Sequence, residues 1–170
     1  MPSQETLTAI SQLGVAFAAF VAIFFAFSRG LGEFSIAQKL RIRTVLSACF
    51  WVMFVGIFPL VFVEFFPQAL VFRVAAFSAL IAFLVIGVDS FLYVKNMSKS
   101  QRRQIVDFNF YTSWALAIFI QLALGLVILG ILPIMDQGIY LLAALAGLAM
   151  CTSNFLTLAF ERLFKSGSDE

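Results

Sequence analysis

The sequence contains no histidine. This absence excludes haem held by histidine, zinc sites of the His-Glu-x-x-His type, and catalysis by Ser-His or Cys-His pairs. Cysteine is scarce as well: Cys49 and Cys151 both lie inside apolar segments. We expect them to be small buried packing residues rather than partners in a disulfide.

Charge is the second scarcity. Charged residues make up 12% of the chain, whereas a soluble domain carries about a quarter. The net charge of +2 is too small to indicate a nucleic-acid partner. The sequence has no phosphate-binding loop, no Gly-x-Ser-x-Gly elbow, no Cys-x-x-Cys and no carboxylate pair spaced for a metal. We therefore expect no cofactor, no metal and no enzymatic activity.

Long apolar runs dominate what is present. Five segments of about 20 residues or more cover 7–28, 44–63, 69–94, 110–132 and 138–160. At about 1.5 Å per residue, each is long enough to cross a hydrocarbon core of about 30 Å. The sequence predicts one all-α domain over residues 1–170, an integral membrane bundle of five transmembrane helices.

The basic residues fall on alternate sides of these segments. Ten of the eleven lie after the first, third and fifth segments: Arg29, Lys39, Arg41, Arg43, Lys95, Lys99, Arg102, Arg103, Arg162 and Lys165. The positive-inside rule then places the N-terminus outside and the C-terminus in the cytoplasm. We expect the basic loops to contact anionic lipid headgroups. A small polytopic chain of this kind is typical of the bacterial inner (plasma) membrane.

The connections predict how the helices follow one another. Ser35 with Gln38, and Ser98 with Gln101, fit the Ser-x-x-Gln capping box. We therefore expect the second and fourth segments to begin one or two turns inside the cytoplasm as continuous helices. The other connections are short, so the second and third segments, and the fourth and fifth, are predicted to form antiparallel hairpins.

Small residues recur every three or four positions in several segments, a pattern typical of helix contacts in lipid. The stripes are Ser11, Gly14, Ala18, Ala22 and Ala26; Ala75, Ser78, Ala82 and Asp89; Ser113, Ala117, Gln121 and Gly125; and Ala143, Gly147, Cys151 and Asn154. The polar member of each stripe is expected to face another helix rather than the acyl chains.

The strongest candidate site is a polar cluster near the cytoplasmic face. Asp89 lies a few residues from the end of its segment, and a carboxylate at that depth needs a partner or a proton. Asn154 is predicted to lie at a similar depth in the fifth segment. Arg41 or Arg43 can reach the same depth from the second segment. Two interpretations remain open: ion coordination or proton transfer, and a structural pair that fixes helix register.

Two further sets of residues are candidates. Gln121, with Ser78 and Ser113, either lines a pathway or forms interhelical hydrogen bonds. Glu64 and Arg73 flank the connection after the second segment and are expected to pair across it.

Three functional hypotheses follow. The first is a non-catalytic membrane subunit or scaffold that assembles through the small-residue faces, as a homo-oligomer or with a membrane-protein partner. The second is a homo-oligomeric channel or small transporter with Asp89 and Gln121 facing the pathway. The third is a membrane enzyme acting on a lipid or quinone near headgroup depth.

Overall fold

The structure is a computed structural model that describes residues 4–28, 33–103, 105 and 108–165. These residues form six helices: α1 (Gln4–Ser28), α2 (Ile36–Phe62), α3 (Gln68–Lys95), α4 (Lys99–Arg103), α5 (Phe108–Leu129) and α6 (Asp136–Lys165). Five of them, all except α4, are long and apolar enough to cross a membrane. The predicted all-α fold with five such helices is confirmed. The orientation in the membrane stays a prediction.

The first capping box extends α2 beyond its apolar run. The Ser35 hydroxyl accepts the backbone N–H of Gln38 at 3.2 Å, and the Gln38 side-chain oxygen accepts the Ser35 N–H at 3.0 Å. These bonds satisfy donors that a helix start leaves free. As a result α2 begins at Ile36 and continues without a break to Phe62, as predicted.

The second capping box has a different outcome. Ser98 and Gln101 exchange the same two hydrogen bonds, at 2.9 and 3.3 Å. However, the helix that follows ends at Arg103, and α5 begins separately at Phe108. The predicted continuous helix is therefore wrong here. The chain turns at Ile105, whose side chain is buried, and burial of an isoleucine is worth about 1.5–3 kcal/mol.

Four helices pack in a ring, in the order α2, α3, α5, α6, and α6 closes on α2. Neighbours in this ring are antiparallel. The Trp51 indole N–H, on α2, donates to the Ala79 carbonyl of α3 at 2.8 Å, and the Tyr140 hydroxyl, near the start of α6, donates to the Val55 carbonyl at 2.8 Å. The fifth long helix, α1, packs mainly on the outside of α2.

Glycines allow the closest helix approaches. A Cβ added at Gly56 would meet the backbone of α1, and one added at Gly14 would meet the backbone of α2. Gly147 of α6 makes room for the Trp51 ring in the same way. Small residues thus bring helices together as predicted, but the contacts they make lie inside a single chain.

The predicted small-residue stripes are buried to different extents. All four members of the stripe in α6 are buried: Ala143, Gly147, Cys151 and Asn154. The stripe in α1 faces the bundle only in its first half, and Ala22 and Ala26 are exposed. Cys49 and Cys151 are buried free thiols, as expected.

Candidate functional site

A groove of about 450 Å³ lies between α3 and α5. Its two walls come from these helices, and its floor comes from α2 and α6. The lining is mostly apolar and aromatic, with Phe83 and Phe91 on one wall, Phe110 and Trp114 on the other, and Trp51 on the floor. Clefts of about 300–1,000 Å³ with such linings are typical small-molecule sites.

The groove lies beside the second half of α3, which the rest of the chain covers less than the first half. In the first half, Val71, Ala75 and Ala79 are fully buried. In the second half, Val85 is 63% exposed and Phe91 is 61% exposed, although they lie about 120° apart around the helix. The rest of the chain covers this half of α3 on the side of Phe83, which packs on Trp51. The remaining apolar surface is left for lipid or a bound molecule.

The groove starts at one end of the bundle, which we call the basic end. It contains the start of α2, the end of α3, α4, the start of α5 and the end of α6, and it carries Lys39, Arg41, Arg43, Lys95, Lys99 and Arg102. From Asn109, at this end, to Gln121, the groove wall on α5 rises twelve residues, or about 18 Å. It therefore spans slightly more than half of a hydrocarbon core of about 30 Å.

A network of amides and hydroxyls closes the floor at the basic end. The Asn109 side-chain N–H donates to the Asn154 side-chain oxygen at 2.9 Å. Asn154 in turn donates to the Ser113 hydroxyl at 2.8 Å and to the Met150 carbonyl at 2.9 Å. The Ser153 hydroxyl donates to the Asn109 side-chain oxygen at 2.7 Å. Both asparagines are buried, and the network joins α5 to α6 inside the bundle.

Two ion pairs lie near the same end. Arg43 donates from Nε to an Asp89 carboxylate oxygen at 2.8 Å, with a second contact through Nη2, and its guanidinium stacks over the Tyr93 ring at 5.1 Å. Arg41 forms an ion pair with Glu161 of α6. The Arg41 side chain is 8% exposed, whereas those of Arg43 and Asp89 are 39% and 51% exposed.

The predicted polar cluster is thus divided. The structure brings Asp89 and Arg43 together but places Arg41 with Glu161, and Asn154 in the amide network. The reason is geometric: Arg41 and Arg43 are two residues apart on α2 and so point to different sides of the helix. A role of this cluster in ion coordination or proton transfer stays a prediction.

The other intramembrane candidates also separate. Gln121 lines the deep end of the groove, is exposed in the single chain and forms no hydrogen bond with the described residues. Ser113 lines the groove and accepts from Asn154. Ser78 is half-buried on α3 and lies outside the groove lining.

At the opposite end, Arg73 has a different partner from the one predicted. Its Nε donates to Asp136, at the start of α6, at 3.3 Å, and its guanidinium lies against Gly130, which has a φ of +61°. Glu64 is exposed and forms no ion pair within the described part of the chain. The predicted Glu64–Arg73 pair is replaced by one that ties α3 to α6.

Asn109 and Ser90 were not among the predicted site residues. Asn109 was missed because the predicted fourth segment begins at residue 110. A signal was present, since Asn109 precedes Ser113 by four residues and Gln121 by twelve, which extends the same stripe by one turn. Ser90 lines the opposite wall and forms no hydrogen bond with the described residues. It belongs to none of the predicted small-residue stripes, so no separate signal in the sequence indicated it.

Within the described residues, no three Cys, Asp or Glu side chains are grouped so that they can hold a metal ion. Comparison with models of protein families, with curated proteins and with solved structures finds no match to this chain. The assignment of a function therefore depends on the groove and on the residues around it.

Proposed function

We propose that this protein is a non-catalytic membrane subunit or scaffold that holds a lipid-like molecule in the groove between α3 and α5. The observation that carries the proposal is the groove itself. It is an apolar cleft of about 450 Å³ that lies beside the second half of α3, where much of that helix is exposed.

The shape and lining of the groove are compatible with a chain-like occupant. The groove rises about 18 Å along α5, slightly more than one leaflet of hydrocarbon, and its lining is mostly apolar. A helix from another chain is the alternative occupant, and the mass of the retained molecule distinguishes the two.

The lining favours binding without catalysis. Acid–base and nucleophilic mechanisms need titratable groups that converge on one point. Among the described lining residues, Arg41 alone is titratable, and it is paired with Glu161. The lining polar groups Asn109, Asn154 and Ser113 are bonded to one another. A lipid- or quinone-modifying enzyme has less support for this reason.

The channel or transporter hypothesis needs Asp89 and Gln121 on one pathway. Gln121 lines the groove, whereas Asp89 lies outside the lining and is paired with Arg43. A shared pathway would therefore have to be built between several copies. The groove of a single chain supports binding more directly.

Two glycines provide a matched test. A Cβ added at Gly87, which lines the groove, or at Gly125, which does not, meets nothing within 4 Å. Phenylalanine should be tolerated at both positions, but only Gly87→Phe narrows the groove. Native mass spectrometry of protein extracted in lipid nanodiscs should show a retained lipid-like mass on the wild type and on Gly125→Phe.

The expected result for Gly87→Phe is loss of that mass. Ala117→Phe, on the opposite wall of the groove, should have the same effect. If Gly87→Phe and Ala117→Phe retain as much of the bound molecule as Gly125→Phe, the groove is not the binding site and the proposal is wrong.

A further inference from the structure

We infer that the occupant of the groove is an anionic membrane lipid from the leaflet at the basic end, with one acyl chain along the groove and its charged headgroup at Lys95 and Arg102. This inference rests on the proposed function, because it names the class of molecule that the groove would hold.

The groove is about as long as one leaflet is thick. Its wall on α5 rises about 12 Å from Asn109 to Ala117 and about 18 Å from Asn109 to Gln121, whereas half of a hydrocarbon core is about 15 Å. An alkyl chain offers the Gln121 amide no hydrogen bond, so the chain is expected to end before Gln121.

The mouth of the groove is polar at the depth of the lipid's ester groups. Ser90 lies five residues from the end of α3, or about 7.5 Å along the helix, and its hydroxyl has no hydrogen bond with the described residues. Across the groove, the Ser113 hydroxyl accepts from Asn154, and its own O–H forms no hydrogen bond with the described residues. Ester and glycerol oxygens are suitable partners for the Ser90 and Ser113 hydroxyls.

The charge beyond the mouth is positive. Among the described side chains, the basic end has six basic groups and three carboxylates, and two of these carboxylates are paired with Arg41 and Arg43. Lys95 follows Val94, which lines the groove. Arg102 donates to the Lys95 carbonyl, so both residues lie at the end of α3, next to the last groove-lining residue of that helix. Neither has a carboxylate partner among the described residues, and a phosphate of a lipid headgroup would supply one.

The occupant is therefore distinguished by its headgroup. A zwitterionic lipid offers the same chain but no net negative charge. A second copy of this protein, or a helix of a partner protein, has neither an acyl chain to lie along the groove nor a phosphate to place at its mouth. These alternatives are separate outcomes of the following experiment.

The protein is placed in nanodiscs that contain equal amounts of phosphatidylglycerol and phosphatidylcholine with identical acyl chains. Native mass spectrometry then measures which lipid remains bound. The wild type should retain phosphatidylglycerol in preference to phosphatidylcholine. Lys95→Gln should lower this preference about fivefold, and Lys95→Gln with Arg102→Gln about 25-fold. Lys95→Arg with Arg102→Lys should preserve it.

Three controls separate the inference from the proposed function. Lys99→Gln removes the same charge from a position that does not border the lining and should change the preference less than Lys95→Gln does. Gln121→Leu should leave retention unchanged or higher, because an acyl chain does not bond to this amide. Gly87→Phe should remove both lipids.

Each contrary result has a definite meaning. If the two lipids are retained equally, or if Lys95→Gln with Arg102→Gln does not change the preference, the inference of an anionic headgroup is wrong. The groove remains the binding site in that case if Gly87→Phe still removes the lipid. Loss of binding in Gln121→Leu shows an occupant with a polar group at mid-bilayer and overturns the acyl chain. A retained mass equal to a second chain, lost in Gly87→Phe, identifies a copy of the protein instead. If no molecule is retained at all, the proposed function fails together with the inference.

Discussion

The packing of α1 on the bundle depends on two glycines that touch backbone rather than side chains. A Cβ at Gly56 would lie 2.7 Å from the Leu7 carbonyl oxygen and 2.7 Å from the Ser11 nitrogen. A Cβ at Gly14 would lie 2.9 Å from the Cys49 carbonyl oxygen. Backbone atoms of a helix cannot rotate away as a side chain can. Gly56→Ala therefore has to push α1 and α2 apart.

The size of the effect can be estimated from these distances. Ordinary van der Waals contact of a Cβ begins at 3.4 Å, so the methyl group requires a shift of about 0.7 Å, which loses roughly a quarter to a half of each dispersion contact between the helices. Overpacking of this kind costs about 1–3 kcal/mol. Alanine recovers up to about 1 kcal/mol through its higher helix propensity. We expect a net destabilisation of the α1–α2 contact by about 1–2 kcal/mol.

The two native thiols give a direct readout. Cys49 and Cys151 are 1% and 0% exposed, so a maleimide probe reaches them only when the helices open. Cys151→Ala leaves Cys49 as the single thiol. In this background, Gly56→Ala should increase the rate of Cys49 labelling by about 5- to 30-fold relative to Cys151→Ala alone. Gly87→Ala is the control, because its Cβ meets open space, and it should label at the background rate.

Two results would refute this reasoning. If Gly56→Ala does not accelerate labelling, the close approach of the two backbones does not hold α1 in place. If Gly87→Ala accelerates labelling as much, the effect comes from alanine in a helix and not from the contact with α1.

Three further predictions concern the polar contacts between helices. Trp51→Phe removes the hydrogen bond to the Ala79 carbonyl and part of the groove floor, so thermal unfolding in detergent should show a loss of about 1–3 kcal/mol. Asn154→Leu breaks the amide network between α5 and α6 and should cost about 1–3 kcal/mol by the same measurement, whereas a result within error would show that water replaces the network. Arg73→Gln should cost about 1 kcal/mol or less, because Arg73 is partly exposed. The cost of Arg73→Gln should be smaller in high salt, and also smaller when it is measured against Asp136→Asn instead of the wild type. If the cost is undiminished under both conditions, Arg73 stabilises the protein by packing rather than by charge.

The five long helices were predictable from the sequence because the bilayer imposes a simple requirement. Every backbone polar group must be satisfied within the segment, so apolar length alone indicates a helix. The start of α2 was predictable from Ser35 and Gln38, whose bonds are local. The break before α5 was not predictable, because the second capping box has the same local bonds as the first and yet its helix ends at Arg103.

The partners of charged side chains were predicted less well, for a related reason. Arg73 has Glu64 nearby in sequence, but helix packing brings Asp136 closer in space. Arg41 and Arg43 are similarly far from Asp89 in sequence, yet they lie on different faces of α2, and Arg43 is the one that pairs with Asp89. Sequence separation indicates which pairs are near on one helix, and it does not give the rotation of one helix against another.

The small-residue stripes have a further consequence for partners. In the sequence they indicated surfaces for assembly, but Gly14 and Gly147 form close contacts within the chain instead. The membrane-facing surface that remains is made mostly of large apolar side chains, and such surfaces do not distinguish a partner from lipid. Specific recognition therefore has to come from places where apolar shape and polar groups combine. In the described part of the chain, the groove between α3 and α5, with the basic end at its mouth, meets that condition.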